Sequence, residues 1–245
     1  VIRFPRISNF TDFLPLMNQA DVAVRYVKSI RELRQPDVII LPGTKNTMED
    51  LTWLKVTGLA EEILQLKDQG SSVVGICGGY QMLGQKLIDP DRVESNQKEQ
   101  DGLGLLPMET RFVPNKQTVR IKGEPLTVWG GSDLVEGYEI HLGRTRLAAG
   151  ASPLFKLSDG RLDGAVSGDG EVWGTYLHGL FDNSSFICHW INHLRLKKGL
   201  PKRGEKVRNR QEAREEVYAF LAQWIREHMD MQKVKEIVEL NHSGV

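Results

Sequence analysis

Residues 72 to 81 constrain this chain more than any other stretch. A short apolar run, Ser72-Val73-Val74-Gly75-Ile76, leads into Cys77-Gly78-Gly79-Tyr80-Gln81, and helical character follows. A strand that turns straight into a helix, with a reactive side chain at the corner and glycines two residues to either side, has the form of a nucleophile elbow. The corner residue sits in a strained backbone conformation, and side chains at the flanking glycines would collide with neighbouring backbone. Here Cys77 replaces the serine of the familiar elbow. A thiol at a helix N-terminus lies at the positive end of the helix dipole, which favours the thiolate, so Cys77 is placed to attack a carbonyl carbon.

The sequence around the elbow alternates between two periods. Val22–Val27 reads as a strand from its β-branched content, and Asp37–Leu41 as a buried strand ending at the turn pair Pro42-Gly43. Thr47–Leu54, Leu59–Leu66 and Gln81–Leu87 carry helical spacing, with Gly70 as a C-terminal cap. Such alternation predicts βαβ units and a mostly parallel sheet flanked by helices. Residues 89 to 101 are polar and predict a surface loop. From Leu103 to Trp173 the texture changes to short strand-like runs, with Gly130-Gly131, Ser158-Asp159-Gly160 and Ser167-Gly168-Asp169-Gly170 as turns between antiparallel strands. Glu171–Leu177 predicts another strand, and residues 184 to 198 a helix. Gly199–Arg210 is a basic loop interrupted by Glu205, and Glu212–His228 and Gln232–Leu240 are amphipathic. The expected organisation over residues 1–245 is therefore an α/β core, 1–198, with a helical extension, 199–245.

Charge removes several function classes. The 245 residues hold 32 Lys+Arg against 32 Asp+Glu, without the basic excess of a nucleic-acid binder or the polybasic runs of a membrane-surface protein. No apolar run approaches the roughly 18 residues that span a bilayer, and no signal-peptide pattern opens the chain. Two cysteines, Cys77 and Cys188, are too few for a disulfide framework, and no histidine is spaced with them as a zinc site requires. A reducing cytoplasm fits best, with small molecules or other proteins as partners. The first residue is Val1, which suggests a segment of a longer polypeptide.

A thiol nucleophile needs a general base, usually a histidine brought close by the fold. His178 follows the strand Glu171–Leu177 at its carboxyl end, where ligands and catalytic groups of open α/β sheets gather. His189, His193, His228 and His242 lie on predicted helices or the tail and read as surface or packed residues, and Cys188 reads as packing. His141, after Gly137-Tyr138-Glu139-Ile140, is a binding-site candidate, and Tyr138 and Glu139 join it as candidate substrate-binding residues. A tetrahedral intermediate also needs two N–H donors, for which Gly78 and Gly43 are the candidates. One such donor carries about 3 kcal/mol of transition-state stabilisation.

Cys77-x-Gly79-x-Gln81, with Pro42-Gly43 upstream and Tyr176-Leu177-His178-Gly179 downstream, resembles a class I (triad-type) glutamine amidotransferase domain. More narrowly, Pro5–Asp12, Leu41–Thr47, Gly137–His141 and Gly174–Phe181 are similar to the C-terminal domain of the cobyric acid synthase family, in order and along the whole chain. The resemblance implies a three-layer flavodoxin-like fold and hydrolysis of glutamine to glutamate and ammonia. It implies Cys77 as the nucleophile that forms a γ-glutamyl thioester, His178 as the base, Gly43 and Gly78 as the oxyanion hole, and Gln81 as a residue that helps hold glutamine. It implies no cofactor or metal in this domain. ATP and Mg²⁺ would serve an N-terminal synthetase domain that amidates carboxylates of adenosylcobyrinic a,c-diamide in cobalamin biosynthesis. No Gly-x-x-x-x-Gly-Lys-Ser/Thr loop occurs in the chain.

One position departs from the family. The glutamate expected two residues after the histidine is Leu180, so the group that orients the imidazole is unassigned. Either the base works as a dyad partner or a carboxylate from elsewhere completes it, with Glu139 and a residue on the synthetase domain both open, and the chain alone is expected to be a slow or nearly inactive glutaminase until its partner domain docks. The corresponding domains of cobyrinic acid a,c-diamide synthase or of a cell-wall peptide amidotransferase would share Cys77 and His178. A thiol hydrolase that needs no partner and a scaffold module with an inert elbow are the readings from other classes.

Overall fold

A computed structural model of the chain describes residues 1–204, 210–234 and 236. Two compact units divide the chain, Val1–Glu205 and Lys206–Val245. In chain order, the first unit begins with two short helices, α1 (Leu14–Met17) and α2 (Ile30–Leu33), then β1 (Val38–Leu41), α3 (Thr47–Val56), α4 (Leu59–Asp68), β2 (Ser72–Ile76) and α5 (Gly78–Met82). The strands β3 (Lys86–Ile88), β4 (Glu99–Asp101), β5 (Met108–Pro125), β6 (Val135–Leu147), β7 (Phe155–Leu157), β8 (Leu162–Asp163), β9 (Ala165–Val166), β10 (Val172–Thr175) and β11 (Leu177–His178) follow, and α6 (Ser184–Lys197) comes last. The second unit contains α7 (Arg210–His228). Residues 205–209 of the basic loop, and most of the predicted helix Gln232–Leu240, lie outside the described residues.

The central sheet has the order β1-β2-β10-β9, with β1, β2 and β10 parallel and β9 antiparallel at the edge. Alternate residues along its strands face opposite ways. Ile39, Leu41 and Val73 pack with Leu51 and Leu54 of α3 and Leu59, Ile63 and Leu66 of α4. Ile40, Val74 and Ile76 pack with Phe186, Ile187, Trp190 and Ile191 of α6. The result is a three-layer α/β arrangement with helices on both faces, as a buried parallel sheet requires. α4 ends where Gly70 was expected to cap it: Gly70, at φ +105°, donates to the Lys67 carbonyl at 2.9 Å and Ser71 to the Leu66 carbonyl at 2.9 Å, the paired bonds of a Schellman motif.

A second sheet, β11-β6-β5-β3-β4 with β7 and β8 attached, is largely antiparallel, as the glycine-rich texture between Leu103 and Trp173 predicts. The chain passes between the two sheets at Tyr176. The predicted strand Glu171–Leu177 is therefore split: β10 stays in the central sheet, and β11 pairs with β6, Leu177 opposite Glu139 and His178 opposite Tyr138. Two other expectations are corrected. Val22–Val27 forms no strand, only a single bridge of Val27 with Ile2, because Val27 alone finds a ladder partner in register. Gln81–Leu87 is not one helix: α5 stops at Met82, and Lys86 and Leu87 begin β3. Gly84 marks the break, since a Cβ there would lie 2.8 Å from the Met108 carbonyl oxygen. The expected loop at 89 to 101 ends in the short strand β4.

Candidate active site

Cys77 stands between β2 and α5 with φ +52° and ψ −109°, a conformation a non-glycine residue takes up only when its surroundings enforce it. The flanking glycines show what enforces it. A Cβ on Gly75 would come within 2.6 Å of the backbone of Tyr80, and one on Gly79 within 1.9 Å of the Leu41 carbonyl oxygen. The two strands and the helix thus meet backbone to backbone around the thiol. Cys77 is buried, and its thiol donates to the Ile140 carbonyl of β6 at 3.5 Å.

His178, only 2% exposed, ends β11 within hydrogen-bonding reach of Cys77. Its Nδ1 lies 2.7 Å from Oδ2 of Asp12, which leaves the Nε2 edge for the thiol. Burial by itself would lower the imidazole pKa, but the Asp12 hydrogen bond and the neighbouring Cys77 more than reverse this and raise it to about 9. Asp12 is thus the orienting carboxylate that the Leu180 position does not supply. It fixes the tautomer and stabilises the imidazolium.

The N-terminal segment delivers Asp12 by running alongside the loop after β1. Ser8 donates to the Gly43 carbonyl at 2.9 Å, Lys45 donates to the Arg6 carbonyl at 3.0 Å, and Ile7 bridges Thr44. Buried Asp50 ties the loop down, accepting from the Thr44 hydroxyl at 2.5 Å. Asn9, at φ +51°, then turns the chain into the 3-10 turn Phe10–Phe13 that carries Asp12. Gly43 packs against the imidazole: a Cβ on it would lie 3.1 Å from His178 Cε1. Gly78 begins α5, where the first N–H groups have no partner within the helix, and a Cβ on it would lie 2.7 Å from the Thr44 side chain. Gly43 thus lies against the His178 ring, and Gly78, directly after Cys77, lies against Thr44, the residue that follows Gly43.

Residues 1–186 match the model of the CobB/CobQ-like glutamine amidotransferase domain. The chain belongs to that family. Its amidotransferase fold is shared by a glutamine amidotransferase of known structure, with TM-score 0.58 at 16% identity over 77% of this chain and 94% of the other. The PurLQS structure from Thermotoga maritima gives TM-score 0.58 at 18% identity over 79% and 96%. Among curated proteins the domain is 43% identical to cobyric acid synthase of Photorhabdus laumondii, over 100% of this chain and 50% of that protein. It is 44% identical to cobyric acid synthase of Yersinia enterocolitica, over 98% and 49%. The chain spans about half the length of these relatives.

The remaining candidates of this amidotransferase domain fall into two groups. Tyr138 stacks on the His178 ring, with centroids 5.3 Å apart and planes inclined by 20°. Glu139 and His141 instead join a buried network on the other side of β6. Glu139 accepts from Arg161 at 2.6 Å and lies 3.5 Å from His141 Nε2. Burial pushes its carboxyl up, but His141 and Arg161 outweigh this and hold it below the usual range. So engaged, Glu139 does not orient His178, which corrects that option. His141 stacks on Tyr176 at 3.7 Å, and Gln81, also buried, bridges the Tyr176 and Thr47 hydroxyls at 3.2 and 2.8 Å. Asp12 and Asn9 were the residues overlooked. They lie inside the Pro5–Asp12 stretch that carried the resemblance, which was the available signal.

Proposed function

We propose that this chain hydrolyses glutamine through Cys77 and supplies the ammonia to a synthetase half that amidates corrin carboxylates, as the glutaminase part of a cytoplasmic cobyric acid synthase. The observation that carries the hydrolytic step is the line Cys77, His178, Asp12, with the acid 2.7 Å from the base. His178 holds the proton drawn from the Cys77 thiol, and the resulting thiolate Sγ adds to the side-chain amide carbon of glutamine. The N–H groups of Gly43 and Gly78 hold the oxyanion, and Gln81 helps seat the substrate. The C–N bond then breaks as the imidazolium returns its proton to the leaving nitrogen, giving ammonia and a γ-glutamyl thioester. Water, deprotonated by His178, cleaves the thioester to glutamate and restores the thiol.

The names of the 40–44% identical relatives support the corrin substrate, and their double length supports a synthetase half in the same polypeptide, using ATP and Mg²⁺ there. Ammonia in neutral water is mostly ammonium, which has no lone pair to attack with, so delivery within the protein is expected.

Two experiments test this. A glutamine-mimicking diazo ketone should label the chain once, at Cys77, and Cys77→Ala should abolish the label. Label on Cys188, or none, counts against the hydrolytic step. In the complete gene product, ¹⁵N from the glutamine side chain should appear in an amidated corrin. Its appearance in a cell-wall peptide instead would overturn the substrate assignment.

A further inference from the structure

We infer that Tyr138 and Asn9 are positioning residues, a clamp that fixes the His178 imidazole against Cys77 and favours its protonated form. The inference rests on Cys77 and His178 being the nucleophile and base of the proposed hydrolysis. Its ground is a contact that catalysis does not itself require: the two rings lie nearly parallel, 5.3 Å apart, on directly opposed positions of β6 and β11. Opposed residues of an antiparallel pair share a face, so strand register alone keeps the phenol over the imidazole. An aromatic face attracts a cation, which makes the stack stronger for imidazolium than for imidazole.

Asn9 closes the clamp from the other end. Its amide nitrogen stands 3.0 Å from His178 Nδ1 and 3.3 Å from the Tyr138 hydroxyl, tying the two rings to the turn that carries Asp12. With Nδ1–H donating to Asp12, a half-turn of this amide presents its oxygen to Nδ1–H and to the phenol. Burial, and the nearby Asp12, Asp182 and Cys77, raise the Tyr138 pKa, so the phenol keeps its proton for that bond. The left-handed backbone at Asn9 suits asparagine, one of the few residues that adopt it readily. The titratable groups facing His178 are Asp12, Cys77 and Tyr138. Asp182 is felt through Tyr138, and Tyr26 through Asp12.

The test uses two readouts that involve no glutamine, with the KM for glutamine as a third: the His178 titration, followed by NMR on ¹⁵N-histidine-labelled chain, and the pH profile of Cys77 alkylation by iodoacetamide, read on the Cys77 peptide. Tyr138→Leu should lower the His178 midpoint by about one pH unit, a tenfold change, and slow Cys77 alkylation at neutral pH. Tyr138→Phe, which keeps the aromatic face, should recover most of the midpoint. Asn9→Ala should shift it in the same direction as Tyr138→Leu, and carries the test if Tyr138→Leu fails to fold.

Unchanged midpoints in Tyr138→Leu and Asn9→Ala would overturn the clamp, as would a Tyr138→Phe midpoint as low as that of Tyr138→Leu. A rise in KM for glutamine with the midpoint intact would overturn it too, and would make Tyr138 a substrate contact. A failed clamp leaves the diazo-ketone label on Cys77 in place, whereas a failed glutaminase reading removes that label and leaves the midpoint shifts.

Discussion

His178 draws its neighbours from separate segments: Asn9 and Asp12 from the N-terminal turn, Gly43 from the loop after β1, Cys77 from the elbow and Tyr138 from β6. Its proton is the one the fold holds most visibly. The imidazole moves from an ordinary 6.5 to about 9 on folding, so its protonation contributes stability in full below about 6.5, and the contribution is lost as pH rises through about 9. Urea midpoints of the wild type should therefore fall between pH 6.5 and 9, and Asp12→Asn should flatten that fall. Equal slopes in both proteins would mean that Asp12 does not hold the proton. Cys77 and His178 could be picked out as residues because each terminates a strand pattern. Asp12 could not, since its position relative to His178 is set by a path through Asn9 and the β1 loop that no local period encodes.

The elbow shows how element geometry fixes residue identity. A Cβ on Gly79 would sit 1.9 Å from the Leu41 carbonyl oxygen, and rigid backbone cannot yield as a side chain does. Gly79→Ala should cost at least about 3 kcal/mol in urea unfolding, or prevent folding altogether. Gly168→Ala, where a Cβ meets nothing within 4 Å, should stay within about 0.5 kcal/mol. Similar losses in both would remove the steric account of the elbow. Gly70→Ala, at φ +105°, should cost about 1 kcal/mol through strain at the α4 cap. Elements whose signal is local, such as β1, α3, α4 and the Gly70 cap, were legible in the sequence. Val22–Val27 was not, because strand propensity needs a partner in register. Nor was the end of α5, where the apolar spacing of Met82, Leu83 and Leu87 continues past a tertiary crossing at Gly84.

At the scale of the molecule, the two sheets divide the work. The central sheet presents Cys77 at the end of β2, and the antiparallel sheet brings the Ile140 carbonyl against its thiol and Tyr138 against His178. The N-terminal segment, bound along the β1 loop, adds the acid. The carboxylate beside His178 thus comes from this chain, where a residue of a separate domain was also open. The chain's own glutaminase rate, compared between wild type and Asp12→Asn, tests this most directly. The wild-type chain alone should form glutamate at a measurable rate, and Asp12→Asn should lose about two to four orders of magnitude of that rate. Hydrolysis by Asp12→Asn at the wild-type rate would contradict it.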